Sequence, residues 1–377
     1  MDNPFSKLFS AGSFFSKSNV SVIGLDIGSS SVKVVQLRKD RGQVILETYG
    51  ELATGPYGSA SVGQSVNLTS EQIVTLVKDL FKEATVTTKV AGISIPLRSS
   101  LLTSIEIPDI AKDNLDQVVP IEARKYVPVP ISEVALDWWV IPKSATDSMD
   151  DGQTEKKEKK GPSMTEVLVV AIHKDTIKQF QTISAGVGLD AKFLEIETFS
   201  AMRSALQNDL GATVVVDLGA STTKIAIIDY GVARLSHTIN KGAQDITHAI
   251  SRSLNIPFGK AEEIKRKIGL VEKVNGGSLL ATLSPTVEYI FSEVNQVMIN
   301  YQKKHNRSVD KVILIGGGAT LKGIKEVATA HVSAPIVFGN PFERVVTPTF
   351  LSPVLAEIGP SFAVSIGLAL RVLQESA

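Results

Sequence analysis

Val22-Ile-Gly-Leu-Asp-Ile-Gly-Ser-Ser-Ser-Val-Lys-Val-Val-Gln-Leu37 has a second copy in this 377-residue chain, Thr213-Val-Val-Val-Asp-Leu-Gly-Ala-Ser-Thr-Thr-Lys-Ile-Ala-Ile-Ile228. The copies align without a gap and pair Asp26 with Asp217, Gly28 with Gly219, Ser30 with Ser221 and Lys33 with Lys224. Each is typical of an apolar strand, a tight Asp-x-Gly-x-Ser turn and a second strand, a β-hairpin with a small polar tip. One such turn is ordinary hairpin chemistry, but the repeat predicts two related units.

A third glycine-rich stretch follows another apolar strand, in Lys311-Val-Ile-Leu-Ile-Gly-Gly-Gly-Ala-Thr-Leu-Lys-Gly-Ile324. The pattern predicts a helix that begins near Leu321. Glycines let a backbone approach a flat or anionic ligand, with helix N–H groups directed at it. Two hairpin tips and this turn are what a nucleoside triphosphate held between two lobes requires. Because Mg²⁺ keeps several of its waters, single carboxylates such as Asp26 and Asp217 are sufficient to hold it.

Composition excludes several other classes of protein. The chain has no Cys, which excludes disulfide scaffolds, thiolate zinc sites and cysteine nucleophiles. Its 39 Lys and Arg balance 39 Asp and Glu, so no overall charge attracts nucleic acid or an anionic membrane. The five histidines stand singly, away from metal-binding spacings. No run approaches the ~20 apolar residues of a membrane-spanning helix, and no signal peptide is recognisable, so we expect a cytoplasmic protein.

The sequence predicts an α/β protein in which the hairpin scheme occurs twice. Between the copies lies one segment whose pattern of strands and helices does not follow this scheme. Residues 1–19 contain four Phe and one Leu among polar and small residues, and are expected to be a flexible tail or, alternatively, a short amphipathic segment. Residues 143–163 are polar and rich in Lys, Glu and Asp, which predicts a disordered loop. Residues 242–300 carry helical periodicity almost throughout.

The repeated motif, with Ile315-Gly-Gly-Gly-Ala-Thr-Leu321, resembles the ATPase superfamily of actin, sugar kinases and heat-shock chaperones. Within it, four further blocks resemble the PilM family of type IV pilus assembly: Glu122-Ala-Arg-Lys-Tyr-Val-Pro128, Glu133-Val-Ala-Leu-Asp-Trp138, Asn340-Pro-Phe342 and Gly367-Leu-Ala-Leu-Arg371. The resemblance runs from about residue 20 onward. It implies an actin-like fold, with two related lobes around a nucleotide cleft. The implied units are a first lobe of 20–95 with 196–210 and 355–377, a small subdomain of 96–195 inserted in it, and a second lobe of 211–354.

The resemblance also implies a site for ATP and Mg²⁺. The first phosphate loop would contain Asp26, Gly28, Ser29, Ser30, Ser31 and Lys33, and the second Asp217, Gly219, Ala220, Ser221 and Thr222. Gly316, Gly317 and Gly318 would border the adenosine, and Asp26 and Asp217 would hold Mg²⁺ through water. Glu262 and Lys265 share a helix face and either contact the ribose or form a surface ion pair.

Hydrolysis would need a group that orients water in line with the γ-phosphate. Glu197 is the candidate for this role and Glu195 a weaker one. Because no arginine finger or second base is evident, we expect ATP binding with slow or negligible turnover.

In function, the resemblance implies a scaffold that binds the N-terminal cytoplasmic peptide of a PilN-like membrane protein, together with other pilus assembly proteins. It would be recruited to the inner face of the cell membrane only indirectly, through that partner. Self-association is a further possibility that the resemblance allows, and nucleic acid is not an expected partner. One alternative is a sugar kinase, although no aspartate base after a glycine is evident. Another is a cell-division protein like FtsA, which usually ends in a basic amphipathic membrane helix. The final nine residues carry one Arg and one Glu, so we expect no such anchor.

Overall fold

The structure of this protein is a computed structural model, and it describes residues 20–109, 114–141, 164–207, 210–270, 273–274 and 277–375. The predicted tail 1–19 and the predicted loop 143–163 lie outside the described residues.

The strands are β1 Ser21–Ile27, β2 Ser31–Asp40, β3 Gln43–Ala53, β4 Val90–Ile95, β5 Ser100–Pro108, β6 Val134–Val140, β7 Met164–His173, β8 Asp190–Ile196, β9 Ala212–Leu218, β10 Thr223–Asp229, β11 Val232–Ile239, β12 Lys273–Val274, β13 Gly277–Ser278, β14 Val309–Ile315 and β15 Ile336–Phe338. The helices are α1 Ser70–Glu83, α2 Leu115–Ala123, α3 Lys174–Val187, α4 Glu197–Ala205, α5 Ala243–Leu254, α6 Phe258–Ile268, α7 Leu279–His305, α8 Ile324–His331, α9 Ser352–Ile358 and α10 Ala363–Glu375.

Two five-stranded sheets have the same topology. The first has the order β3-β2-β1-β4-β8 and the second the order β11-β10-β9-β14-β15. In each, three antiparallel strands are followed by two parallel ones. Asp26 lies opposite Lys33 in the first hairpin, and Asp217 opposite Lys224 in the second. The duplication is therefore confirmed as a pair of related lobes.

Helices cover the first sheet on both faces, which is why β1 is almost continuously apolar. On one face, α1 and α3 bury a cluster that includes Leu25, Leu76 and Ile183. On the other face α10 lies directly against β1, so that a Cβ built on Gly24 would stand 1.8 Å from the carbonyl oxygen of Ser365. Backbone thus packs on backbone at this crossing, which only glycine permits.

The small subdomain has a separate three-stranded antiparallel sheet of order β5-β7-β6. Helix α2 covers one face, where Val119 and Ala123 pack with Val167 and Val169. The other face joins an apolar cluster shared with the second lobe, in which Leu168 and residues such as Val215 and Ile228 take part. The subdomain therefore contacts both lobes.

The structure divides the chain differently from two of the predicted boundaries. Predicted range 96–195 is too long, because β8 pairs in parallel with β4 and belongs with α3 to the first lobe. The subdomain sheet ends at His173. Predicted range 211–354 is also too long, because Val346 N donates to Val44 O (2.7 Å) and Leu46 N donates to Val346 O (3.0 Å), which ties this segment to the edge of the first sheet.

One run within the described residues, Thr349–Glu375, is long and apolar enough to cross a membrane by length and composition. The sequence-based expectation that no run would qualify was therefore wrong. The run has a mean hydropathy of 1.5, and 67% of its most apolar window is buried inside the protein. Its second half is α10, and core helices pass the same test of composition.

Candidate functional site

A cavity of about 390 Å³ lies between the lobes, in the size range of ligand sites. It is lined by every residue that the resemblance assigned to the nucleotide: Asp26, Gly28, Ser29, Ser30, Ser31, Lys33, Asp217, Gly219, Ala220, Ser221, Thr222, Glu262, Lys265, Gly316, Gly317 and Gly318. Glu197 lines it as well. The structure thus brings together residues from distant parts of the chain.

The two hairpin tips face each other across this cavity. Each is closed by the same hydrogen bond, in which Gly28 N donates to Ser31 O and Gly219 N donates to Thr222 O, both at 3.1 Å. The hydroxyl oxygens of Ser29 and Ser221 lie 3.3 Å apart, within hydrogen-bonding distance. The hairpin tips of both lobes and their hydroxyl groups therefore meet at one point of the cavity, a placement that suits the binding of a phosphate group.

Asp26 is held by a residue that the sequence analysis missed. Ser94, in β4, donates from its hydroxyl to Asp26 Oδ1 (2.8 Å) and accepts from Ile27 N (3.2 Å). Burial raises the pKa of Asp26, although the positive charge of Lys33 opposes this. A nearby cation would restore the ionised form. The only sequence signal for Ser94 is a polar residue between Ile93 and Ile95 in an otherwise apolar strand.

Lys224 connects the two lobes through an ion-pair network. Its Nζ lies 2.7 Å from Glu197 Oε2 and 3.1 Å from Asp217 Oδ2. Burial alone would lower the pKa of Lys224, but the charges of Asp217 and Glu197 raise it overall, so this side chain stays protonated. The pKa of Glu197 is raised by burial, with Lys224 opposing and the charges of Asp217 and Asp26 adding to the rise.

Glu197 has both carboxylate oxygens engaged. Oε1 accepts a hydrogen bond from Leu97 N (2.6 Å), and Oε2 faces Lys224. Leu97 lies just before β5, where the chain enters the small subdomain. Glu197 therefore joins the first lobe, the second lobe and the subdomain entry, and its predicted role in orienting water remains a proposal.

Glu195 does not line the cavity, which corrects its place as the weaker candidate for a catalytic group. Its carboxylate is fully buried and lies 2.7 Å from Arg203 Nη1 and 2.8 Å from Arg371 Nη1. Burial raises its pKa, but hydrogen bonds and charge from Arg203, with Arg371, lower it overall. Glu195 is a structural group that joins β8 to α4 and α10.

Glu262 and Lys265 form a buried pair rather than the surface ion pair that was the alternative. Their charged atoms lie 2.7 Å apart, and both also contact Thr247. On the opposite lobe, Lys33 pairs at 3.2 Å with Glu51, a second lining residue that the sequence analysis missed. Each lobe therefore contributes to the cavity a lysine that is paired with a carboxylate: Lys33 with Glu51 in the first lobe, and Lys265 with Glu262 in the second.

The glycine turn after β14 makes close contacts with the second hairpin. Gly316 has φ +85°, and a Cβ built on it would lie 2.3 Å from Asp217 Oδ1. A Cβ on Gly317 would meet nothing within 4 Å, so this position is open. A short 3₁₀ turn, Gly317–Thr320, comes first, and α8 begins at Ile324 rather than near Leu321.

These residues fit a nucleotide with magnesium better than a metal held by protein alone. Among the residues that the structure describes, no group of three or more His, Cys, Asp or Glu side chains could form a metal cage. Asp26 and Asp217 instead offer hard oxygen donors beside the hairpin tips, which suits Mg²⁺ bound mainly by phosphates and water.

Two α/β lobes of identical strand order, with paired Asp-Gly hairpins facing across a cleft, define an actin-like ATPase fold. The family model of the type IV pilus assembly protein PilM matches residues 24–373, and the chain belongs to this family.

Solved structures share this architecture. A structure titled as the PilM–PilN type IV pilus biogenesis complex superposes with a TM-score of 0.76, at 24% identity, covering 94% of this chain and 99% of that one. The ethanolamine utilization protein EutJ from Carboxydothermus hydrogenoformans gives a TM-score of 0.54 at 17% identity, over 94% of this chain and 90% of that chain.

Curated relatives include cell division proteins FtsA. That of Helicobacter pylori strain J99 is 27% identical, over 54% of this chain and 46% of its own length. The chain therefore spans about half the length of this relative. FtsA of Pseudomonas aeruginosa is 24% identical, over 94% of this chain and 90% of its own length.

Proposed function

We propose that this type IV pilus assembly protein binds ATP with Mg²⁺ between its lobes, and that its small subdomain helps to hold the N-terminal cytoplasmic peptide of a PilN-like membrane protein. It would act in the cytoplasm as a scaffold, recruited to the inner face of the membrane through that partner. The observation that carries the proposal for the nucleotide is the convergence of the two hairpin tips, with Ser29 and Ser221 at 3.3 Å.

The chain's own residues would hold the triphosphate from both lobes. Backbone N–H groups and hydroxyls of the tips would bind phosphate oxygens, while Lys33 and Lys224 would balance their charge. Asp26 and Asp217 would orient the waters of the magnesium ion, and that ion would neutralise charge on the phosphates. Glu262 and Lys265 lie on the second-lobe side, where the ribose of an actin-like site would be.

Slow turnover is part of the proposal, and the contacts of Glu197 support it. Oε1 accepts from Leu97 N and Oε2 from Lys224 Nζ; each oxygen keeps a lone pair for a water, but these hydrogen bonds and the positive charge of Lys224 make the carboxylate a weaker base toward an attacking water. A phosphate group beside Lys224 would compete for the same ammonium group. In this proposal Glu197 therefore responds to the bound nucleotide more than it drives chemistry.

The first test is nucleotide retention by the purified chain. We expect the wild type to release adenine nucleotide on denaturation, and Asp26→Ala and Asp217→Ala each to bind Mg-ATP about tenfold more weakly, because a contact to the hydrated ion is lost. Isothermal titration measures the affinity. Asp40→Ala is the matched control, since this carboxylate lies far along β2 and pairs with Arg38. Equal retention by all four proteins would rule out the proposed role of the two carboxylates.

The peptide part of the proposal rests on family membership and on the contacts of the subdomain. The solved PilM–PilN complex has the same fold, and here the α2 region presents Ile121 and Tyr126, exposed at 57% and 49%. Apolar side chains at such a surface suit a peptide with apolar anchors. Because the subdomain sheet also packs on the second lobe, closure of the cleft can reach it; a tenfold change in peptide affinity requires about 1.4 kcal/mol of coupling.

A peptide-binding experiment separates this function from the alternatives. We expect a labelled N-terminal peptide of a PilN-like protein to bind the chain with micromolar or tighter affinity, measured by fluorescence anisotropy, and a scrambled peptide to bind at least tenfold more weakly. Because one FtsA relative is matched over 90% of its own length, a cell-division partner is the competing candidate. If the chain does not bind the pilus peptide but does bind a cell-division protein, the result would favour that candidate.

A further inference from the structure

Residues 59–68 connect the 3₁₀ turn Gly55–Gly58 to α1 and cross the cleft between the two lobes. We call this segment the strap. It is folded on itself, since Ser61 N donates to the side chain of Gln64 (3.3 Å) and Gln64 N donates to Ser61 O (3.1 Å). Gly63, at the centre of this turn, is buried and has φ +84°, which favours glycine. The strap therefore has a defined conformation of its own.

The strap is joined to the first hairpin tip. Val66 N donates to Ser29 O at 3.0 Å. The same carbonyl accepts from the hydroxyl of Thr54 at 2.8 Å, just before the 3₁₀ turn. One end of the strap is therefore attached to the residue whose side chain reaches across to Ser221.

The strap is also joined to the second lobe. Ser65 N donates to Gln244 Oε1 at 3.1 Å, and Gln244 N in turn donates to Ala220 O of the second hairpin tip at 2.9 Å. Gly63 lies so close to Glu262 that a Cβ built on it would stand 2.5 Å from Glu262 Cδ. Glu262 lines the proposed nucleotide site, and Gln244 is hydrogen-bonded to Ala220, which lines it as well.

We propose that the strap controls nucleotide exchange by holding the two lobes together over the cleft. This inference rests on the proposed nucleotide binding and adds a regulatory element to the same site. For a nucleotide to enter or leave, the lobes must separate, and separation breaks the Ser65–Gln244 hydrogen bond and the Gly63–Glu262 contact. A partner that displaces the strap would accelerate exchange without touching the nucleotide.

The test measures entry and release separately. Entry is followed by stopped flow when the fluorescent analogue mant-ATP with Mg²⁺ is mixed with the nucleotide-free full chain, and release when the bound analogue is chased with excess ATP. We expect Gln244→Ala to release the analogue three- to tenfold faster, because one hydrogen bond no longer holds the strap. Gly63→Ala is expected to have the larger effect, because its methyl group would displace the strap from Glu262. Entry should accelerate by a similar factor, since the strap blocks passage in both directions.

Gly42→Ala is the matched control for Gly63→Ala. Gly42 also has φ +84°, but it lies in the β2–β3 turn, where an added methyl group would meet nothing within 4 Å. It should leave both rates within twofold of the wild type. Thermal melts identify any variant that fails to fold, and Gln244→Ala, at a helical position that alanine favours, then decides the question.

Three results would overturn the inference. Unchanged rates in both strap variants would show that the strap does not limit exchange. Faster release with unchanged entry would show that Gln244 or Gly63 merely contacts the nucleotide. Absence of mant-ATP binding by the wild type would refute the proposed nucleotide site itself, and the role of the strap with it.

Discussion

Gly24→Ala is expected to lower the free energy of unfolding by at least about 3 kcal/mol. The added methyl carbon would stand 1.8 Å from Ser365 O and 2.8 Å from Ala369 N, both backbone atoms that cannot rotate away. The strand β1 and the helix α10 would have to separate, which would open the core of the first lobe around residues such as Val22 and Ile366. Urea unfolding followed by circular dichroism measures the loss.

Gly317→Ala is the control for this substitution. A methyl group there would meet nothing within 4 Å, so its stability should stay within about 0.5 kcal/mol of the wild type. Similar stability of the Gly24 and Gly317 variants would mean that α10 does not lie against β1 as described.

Glu195→Ala is expected to cost about 3 to 5 kcal/mol of stability, because it leaves buried arginine charge without its partner. Arg371 is only 6% exposed at its side chain, and Arg203 is 19% exposed. Glu195 also accepts a hydrogen bond from Ser200, so three side chains lose a contact at once, and the more exposed Glu375 and the carbonyl oxygen of Gly367 remain as partners of Arg371 and Arg203. Denaturant unfolding at neutral pH measures the effect.

Glu375→Ala is the matched control, since Glu375 pairs with the same Arg371 but is 28% exposed. Removing it should cost less than about 1 kcal/mol. Equal losses from the two glutamate variants would contradict a special role for the buried carboxylate.

The pH dependence of this effect has a defined sign. Because the pKa of Glu195 is lowered in the folded state, its contribution is fully present above the ordinary value of 4.5 and is lost as pH falls through the lowered pKa. The stability difference between wild type and Glu195→Ala should therefore shrink in acid.

The sequence predicted those parts of the fold and the site that are set by local pattern. A hairpin forms between neighbouring residues, so its two strands and its turn follow from a short stretch. Repetition of that stretch then implied two similar sheets, because the same local pattern produces the same local structure. The residues assigned to the cleft came from the two hairpins, from the glycine stretch after β14 and from the family resemblance, and the structure places them around one cavity.

Contacts between distant segments could not be predicted in this way. The sheet to which β8 belongs is decided by its pairing with β4, about a hundred residues earlier, so the subdomain boundary was misplaced. Glu195 and Glu197 are two residues apart and would share one face of a continuing strand. The change from strand to helix at Glu197 instead directs one carboxylate into the core and the other to the cleft.

The crossing of Gly24 and Ser365 also bears on how the protein is made. A ribosome releases β1 long before α10, which covers one face of that strand and lies more than 300 residues later in the sequence. Until then the hydrophobic surface of the first sheet lacks its cover, a situation that favours aggregation and engagement by chaperones. Contacts of such long sequence separation also slow folding. The strand that carries Asp26 therefore stays uncovered on one face until α10 has been synthesised.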